Sequence, residues 1–234
     1  MMSNLLKVEF YKLWRFKVFY AVIGFLLLIF AYTAIKNNEK HMFTDIYQVY
    51  KESLPDTSFS FLFAVLTSLF VGNDFSTRTV NRELVTGASR WNVIISRIIP
   101  VWIMNIAYHT LNIVLYMAAM GIDAGYSFDG FSLSDIAWFG TVILQIMALA
   151  TVITLITFMS GNIYVGLTAS VITLFALCNI LRNFTASPVY TSSCFCFAAD
   201  SSTEILVRCS VSAVITIIAA LAATYFVFRK RDIS

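Results

Sequence analysis

The sequence predicts an all-α, polytopic membrane protein with six transmembrane helices, and three observations predict it. Six apolar runs of roughly 17 to 24 residues fill the chain almost end to end, and about 20 such residues are what one crossing of the hydrocarbon core needs. Hydrophobic residues make up 59% of the 234 and charged residues 12%, about half the charged share of an average soluble domain. Of the Lys and Arg residues, eleven fall on the side of the runs that holds both termini and five on the other, which places both termini in the cytoplasm.

The chain opens on a basic leader, 3–17. Leu6, Phe10, Leu13 and Trp14 fall on one helical face while Lys12 and Arg15 fall away from it, so an amphipathic elbow helix is expected to lie in the membrane surface before the chain turns down. Glu9 and Lys17 interrupt that pattern, and a plain positive flank is the alternative. The first span is expected over 18–35. Its length, and the lack of a small-x-small site near Ala31 to Ala34, argue for an uncleaved span rather than a signal peptide. The remaining spans are expected over 57–73, 98–120, 136–159, 164–181 and 205–228. The longest breaks, 36–56 and 182–204, carry no core pattern of their own, so 1–234 reads as one membrane domain.

Nine of the thirteen acids lie on the outer side, and the net charge of +3 divides into +7 inside and −4 outside. The basic residues are juxtamembrane topology signals and contacts for membrane lipid. They line no groove, so no nucleic-acid partner is expected. Cys178, Cys194, Cys196 and Cys209 match neither a disulfide framework nor a zinc spacing, and Cys194-x-Cys196 has no accompanying His, so no metal site is expected.

The inner loop over 74–97 carries the functional signal. Asp74 follows the second run, a short charged helix is expected from Thr79 to Thr86, Gly87 can end it in the left-handed conformation, and Ser89 can cap the helix that Arg90 opens. Arg78, Arg82 and Glu83 are expected to project from this helix as a docking peg for a cytosolic partner. An ordinary solvated turn is the plainer reading.

Asp74, Thr79, Gly87 to Arg90, and Arg97 resemble the loop between spans two and three of the type-2 ABC transporter permeases. In that family an acid follows the second span, Gly-Thr opens a short helix, and Ser-Arg and a further basic residue enter the third. The leader, the six runs and the long last outer break are similar too. The small size and Gly87, where many members have Pro, look most like the peptide-toxin and lantibiotic export or immunity permeases. Arg78 departs from the family, which usually has Gly before that Thr.

The resemblance implies a type-2 ABC exporter permease fold in a bacterial plasma membrane. It implies two permeases, identical or different, each resting its loop helix on a cytosolic ABC ATPase subunit, with Arg78, Thr79, Arg82, Glu83 and Arg90 as coupling residues. ATP and Mg would be bound by that ATPase and no cofactor by this chain, which has no Gly-x-x-x-x-Gly-Lys-Ser/Thr loop to cradle phosphates. The cargo expected is an amphipathic or antimicrobial peptide. Efflux of an antibiotic, a lipid-linked compound or an ion stays open, as does an ATP-independent channel or scaffold.

In the third run Asn105, His109, Asn112 and Tyr116 share one helical face. They are candidates for a translocation path, or for hydrogen bonds to neighbouring helices. Gln145, Thr151, Thr154 and Thr157 are expected to serve helix packing, and Glu204 and Arg208 to pair at the outer start of the sixth span. Val189 to Ala199 is apolar but too short to cross; a re-entrant turn or a surface loop fits it. An intramembrane enzyme is not expected: no run holds two acids, and His109 has no acid on its own helix.

Overall fold

The computed structural model describes residues 2–37, 45–55, 61–124, 130–182, 198 and 202–230. Among them every regular element is an α-helix. The leader forms α1 (Met2–Trp14), and a break at Arg15 and Phe16 separates it from α2 (Lys17–Asn37). A short α3 (Ile46–Ser53) follows, capped by Asp45, whose carboxylate accepts from the Gln48 N–H at 2.8 Å. Next come α4 (Phe61–Ser76), the seven-residue α5 (Thr79–Val85) and the long α6 (Arg90–Ala124). The chain closes with α7 (Leu133–Ser160), α8 (Ile163–Arg182) and α9 (Thr203–Lys230).

These helices fall on the six apolar runs, with residues 57–60 of the second run outside the described ones. Four helices, α2, α6, α7 and α9, are long and apolar enough to cross a membrane; α4 is shorter, and α8 is apolar over Ile163–Phe175. The distribution of polarity is that of a helical membrane protein. Phe25, Leu28, Tyr32 and Ile35 on α2 and Val211, Ile215, Ile218 and Phe226 on α9 are exposed, while Ser68, Asn105, Gln145, Thr151, Thr154 and Ser170 are buried. In water that arrangement would leave a large apolar surface solvated; in lipid it puts each polar group beside another helix.

The helix α7 is the centre of the bundle, packing on α4, α6, α8 and α9. Hydroxyls join these helices: Ser68 on α4 donates to Ser170 on α8 at 3.1 Å and accepts from Thr157 on α7 at 3.3 Å. Trp102 on α6 donates to Thr151 on α7 at 2.9 Å. Where α4 meets the start of α8, a Cβ on Gly72 would stand 2.9 Å from the backbone Cα of Ile163. Only a residue without a side chain lets the two backbones approach so closely.

On the face away from the termini, α3 packs on α6 through Ile46 and Val49 against Met120. Tyr47 and Tyr50 reach the start of α7, where Tyr47 donates to the Asp135 carboxylate at 3.2 Å and Tyr50 to its carbonyl at 3.2 Å. Burial, with Asp135 and Tyr47 nearby, pushes the Tyr50 hydroxyl up to about 12. Glu204 and Arg208 pair as expected, at 2.5 Å on an exposed surface. Of the segment 189–199 only Ala198 is among the described residues, and it is buried. Gln145 accepts from its N–H at 2.9 Å and Trp138 donates to its carbonyl at 2.6 Å. Gln145 lies twelve residues into α7, about 18 Å along the helix, so the chain at Ala198 is held below the helix end.

Candidate functional site: an ion cluster behind the α5 helix

The loop helix forms where local chemistry calls for it. Asn73 accepts from the N–H and the hydroxyl of Thr77, closing α4, and Arg78 then takes the left-handed conformation at φ 54°. A side chain in this conformation crowds its own carbonyl and glycine has none to crowd, so the backbone here suits glycine. At the far end Gly87 adopts φ +91°, its N–H bonding to the Leu84 carbonyl and that of Ala88 to the Glu83 carbonyl. This pair of bonds is the Schellman closure of a helix end. Ser89 then accepts from the Asn92 N–H at 3.2 Å and starts α6, as the sequence predicts.

The side chains of α5 divide between two faces. Arg78 and Arg82 are exposed, and Thr79 is partly buried with its hydroxyl 2.9 Å from that of Thr77. Glu83, expected to project with the two arginines, turns inward instead. Its carboxylate lies 2.9 Å from Arg97 Nη2, and its side chain is 13% exposed. The physical reason is Arg97, a fully buried guanidinium that must be surrounded by counter-charge. Arg90 also faces inward, toward the end of α9. Its Nη1 donates to the carbonyls of Phe228 and of Arg229, the latter at 2.6 Å. There it serves the unpaired carbonyls of a helix C-terminus.

Arg97 is the hub of the site. Its Nε lies 2.9 Å from Asp74 Oδ2 at the end of α4, its Nη1 donates to the Val93 carbonyl of its own helix, and its Nη2 faces Glu83 of α5 and, at 3.9 Å, Glu9 of α1. Lys12 closes the ring, 2.7 Å from both Glu9 Oε1 and Asp74 Oδ1. Four helices thus meet through five charges, three acidic and two basic. Burial, the largest influence, pushes the Glu9 carboxyl above its usual range; Arg97 and Lys12 pull it back and Asp74 adds to the rise.

Along the chain the members of this cluster are separate signals: Asp74, Glu83 and Arg97 belong to the inner loop, Lys12 is a polar-face charge, and Glu9 interrupts an apolar face. In the structure Leu5, Leu13 and Phe16 pack inward with Glu9, and Phe10 and Trp14 are exposed. An acid inside an otherwise apolar face was the signal available, because a residue costly to bury is placed there only beside counter-charge.

The row in α6 is enclosed within the bundle. Asn105, His109 and Asn112 are buried. Asn105 donates to Thr67 of α4 at 2.8 Å and to the Val101 carbonyl, the His109 ring lies against Phe63 at 6.2 Å, and Tyr116 meets Phe30 of α2 edge-on at 6.0 Å. In this conformation Asn105 and His109 face α4, and Tyr116 faces α2. Among the described residues no group of acids, His and Cys could hold a metal ion, and Cys194 and Cys196 lie outside those residues.

The chain matches no family model, no curated protein and no solved structure.

Proposed function

We propose that this chain is the membrane-spanning subunit of an ATP-driven exporter, crossing the membrane six times with both termini in the cytoplasm, and that α5 receives the displacement produced by a separate ATPase subunit. One observation carries this reading: the ion pair between Glu83 on α5 and Arg97 on α6, with Arg97 also holding Asp74 on α4. A short helix with two exposed arginines outside and a buried charge inside cannot be displaced without acting on the helices at both its ends. Packed interfaces of this kind switch between discrete arrangements rather than deforming smoothly.

A second copy or a related permease would complete the path. An amphipathic peptide is the cargo that the family resemblance suggests. The polar row of α6 would join that path only in a conformation that opens it away from α4.

The test is to tag the chain in its native host, solubilise it gently and assay the purified material for ATP hydrolysis. An ATPase subunit in stoichiometric amount is expected with the wild type. Arg82→Glu, at an exposed position, is expected to keep membrane insertion but to separate hydrolysis from transport. Cargo movement at full rate without any ATPase, or an amino terminus facing outside, sinks the proposal.

A further inference from the structure

Two carboxylates on different helices flank one nitrogen. Arg97 Nη2 lies 2.9 Å from Glu83 Oε2 on α5 and 3.9 Å from Glu9 Oε1 on α1. Nε lies 2.9 Å from the Asp74 carboxylate, and Nη1 donates to the Val93 carbonyl and to Ser96 Oγ. A buried guanidinium that loses a counter-charge must find another, and the carboxylate already near Nη2 is Glu9.

We propose that Nη2 is an exchange contact: when α5 is drawn away from the bundle, Arg97 passes from Glu83 to Glu9, and α1 is clamped more tightly to α6. The charges favour such a transfer. With Glu83 seated, three carboxylates face the two cations Arg97 and Lys12, leaving one negative charge in excess. With Glu83 gone, Glu9 and Asp74 face Arg97 and Lys12, and the cluster is balanced. Departure of α5 therefore removes the excess negative charge as it breaks an ion pair, and α5 and α1 hold Arg97 alternately. The leader is then an active part that senses where α5 stands. This inference concerns only charges within the chain and does not require that an ATPase be what moves α5.

Hydrogen exchange measured by mass spectrometry on the full chain in lipid nanodiscs tests it. Glu83→Ala is expected to speed exchange in α5 and to slow it severalfold in α1. The slowing must disappear in the double variant Glu9→Gln/Glu83→Ala, because Glu9 is what receives the guanidinium. If Glu83→Ala does not fold, Glu83→Asp, whose shorter arm withdraws the carboxylate without deleting it, should shift both helices in the same directions by less. Faster or unchanged exchange in α1 of the Glu83 variant, as a fixed strut would give, overturns the proposal. So does a slowing that survives in the double variant.

Discussion

Arg97 Nε stands 2.9 Å from Asp74 Oδ2, and through this contact the helix before the α5 loop is joined to the helix after it. Both side chains are almost wholly removed from solvent, at 0% and 3% exposure. Removing one member of a buried pair leaves the other charge uncompensated and typically costs about 3–5 kcal/mol. Arg97→Met is expected to reach that range, since Asp74, Glu83 and Glu9 are all left behind. Adding Asp74→Asn should recover part of the loss. Thermal unfolding of the single and double variants in one detergent measures the coupling, and strictly additive effects would mean that the two residues do not act on each other.

Arg78 adopts φ 54°, a conformation that costs an ordinary residue roughly 1–2 kcal/mol and glycine almost nothing. Arg78→Gly is therefore expected to leave the fold unchanged or stabilise it by up to about 1 kcal/mol, whereas the β-branched Arg78→Val should destabilise it. Slower amide exchange over α5 in the glycine variant is the corresponding local readout. A valine variant as stable as the parent would show that this backbone position is not under strain.

Gly72 allows α4 and α8 to touch. A methyl group there would sit 2.9 Å from the Ile163 Cα, and backbone cannot rotate aside as a flexible side chain can. Gly72→Ala is expected to cost about 1–3 kcal/mol as an overpacking change. Gly24→Ala is its control, because no atom lies within 4 Å of a Cβ at that position. Equal melting temperatures for the two variants would contradict the close approach.

Glu9 supplies a pH dependence with a definite sign. Its folded value is raised above the ordinary 4.5, chiefly by burial, so between the two values the folded chain binds more protons than the unfolded one. Its contribution to stability is then complete below 4.5 and is lost as pH rises through the raised value. The charged groups that act on it are Arg97 on α6, Asp74 on α4 and Lys12 on its own helix. Melting curves of the parent and of Glu9→Gln over roughly pH 4 to 8 isolate its share. The parent should lose stability relative to the variant as pH rises, and a difference that stays constant or reverses refutes the assignment.

How much of this was legible in the chain differs from element to element. The apolar helices, the break after the leader, the Gly87 closure and the Ser89 cap follow from length, composition and turn chemistry, all of which act over a few residues. The Glu204–Arg208 pair was legible for the same reason, being one helical turn apart. Glu83 was not. Helical periodicity shows that Arg82 and Glu83 point in different directions, but not which of those directions meets the bundle.

Local sequence by itself thus determined the apolar helices, the turns of the α5 loop and which stretches suit lipid, because hydrogen bonding and apolar periodicity are properties of neighbouring residues. It did not show α3, which lies in the break 36–56 where no core pattern was expected and which buries Ile46 and Val49 against Met120. Tertiary structure alone decided that Glu9, Lys12, Asp74, Glu83 and Arg97 share one buried site. Those residues come from four helices, and a charge out of water finds its counter-charge wherever packing brings the helices together, whatever their distance along the chain.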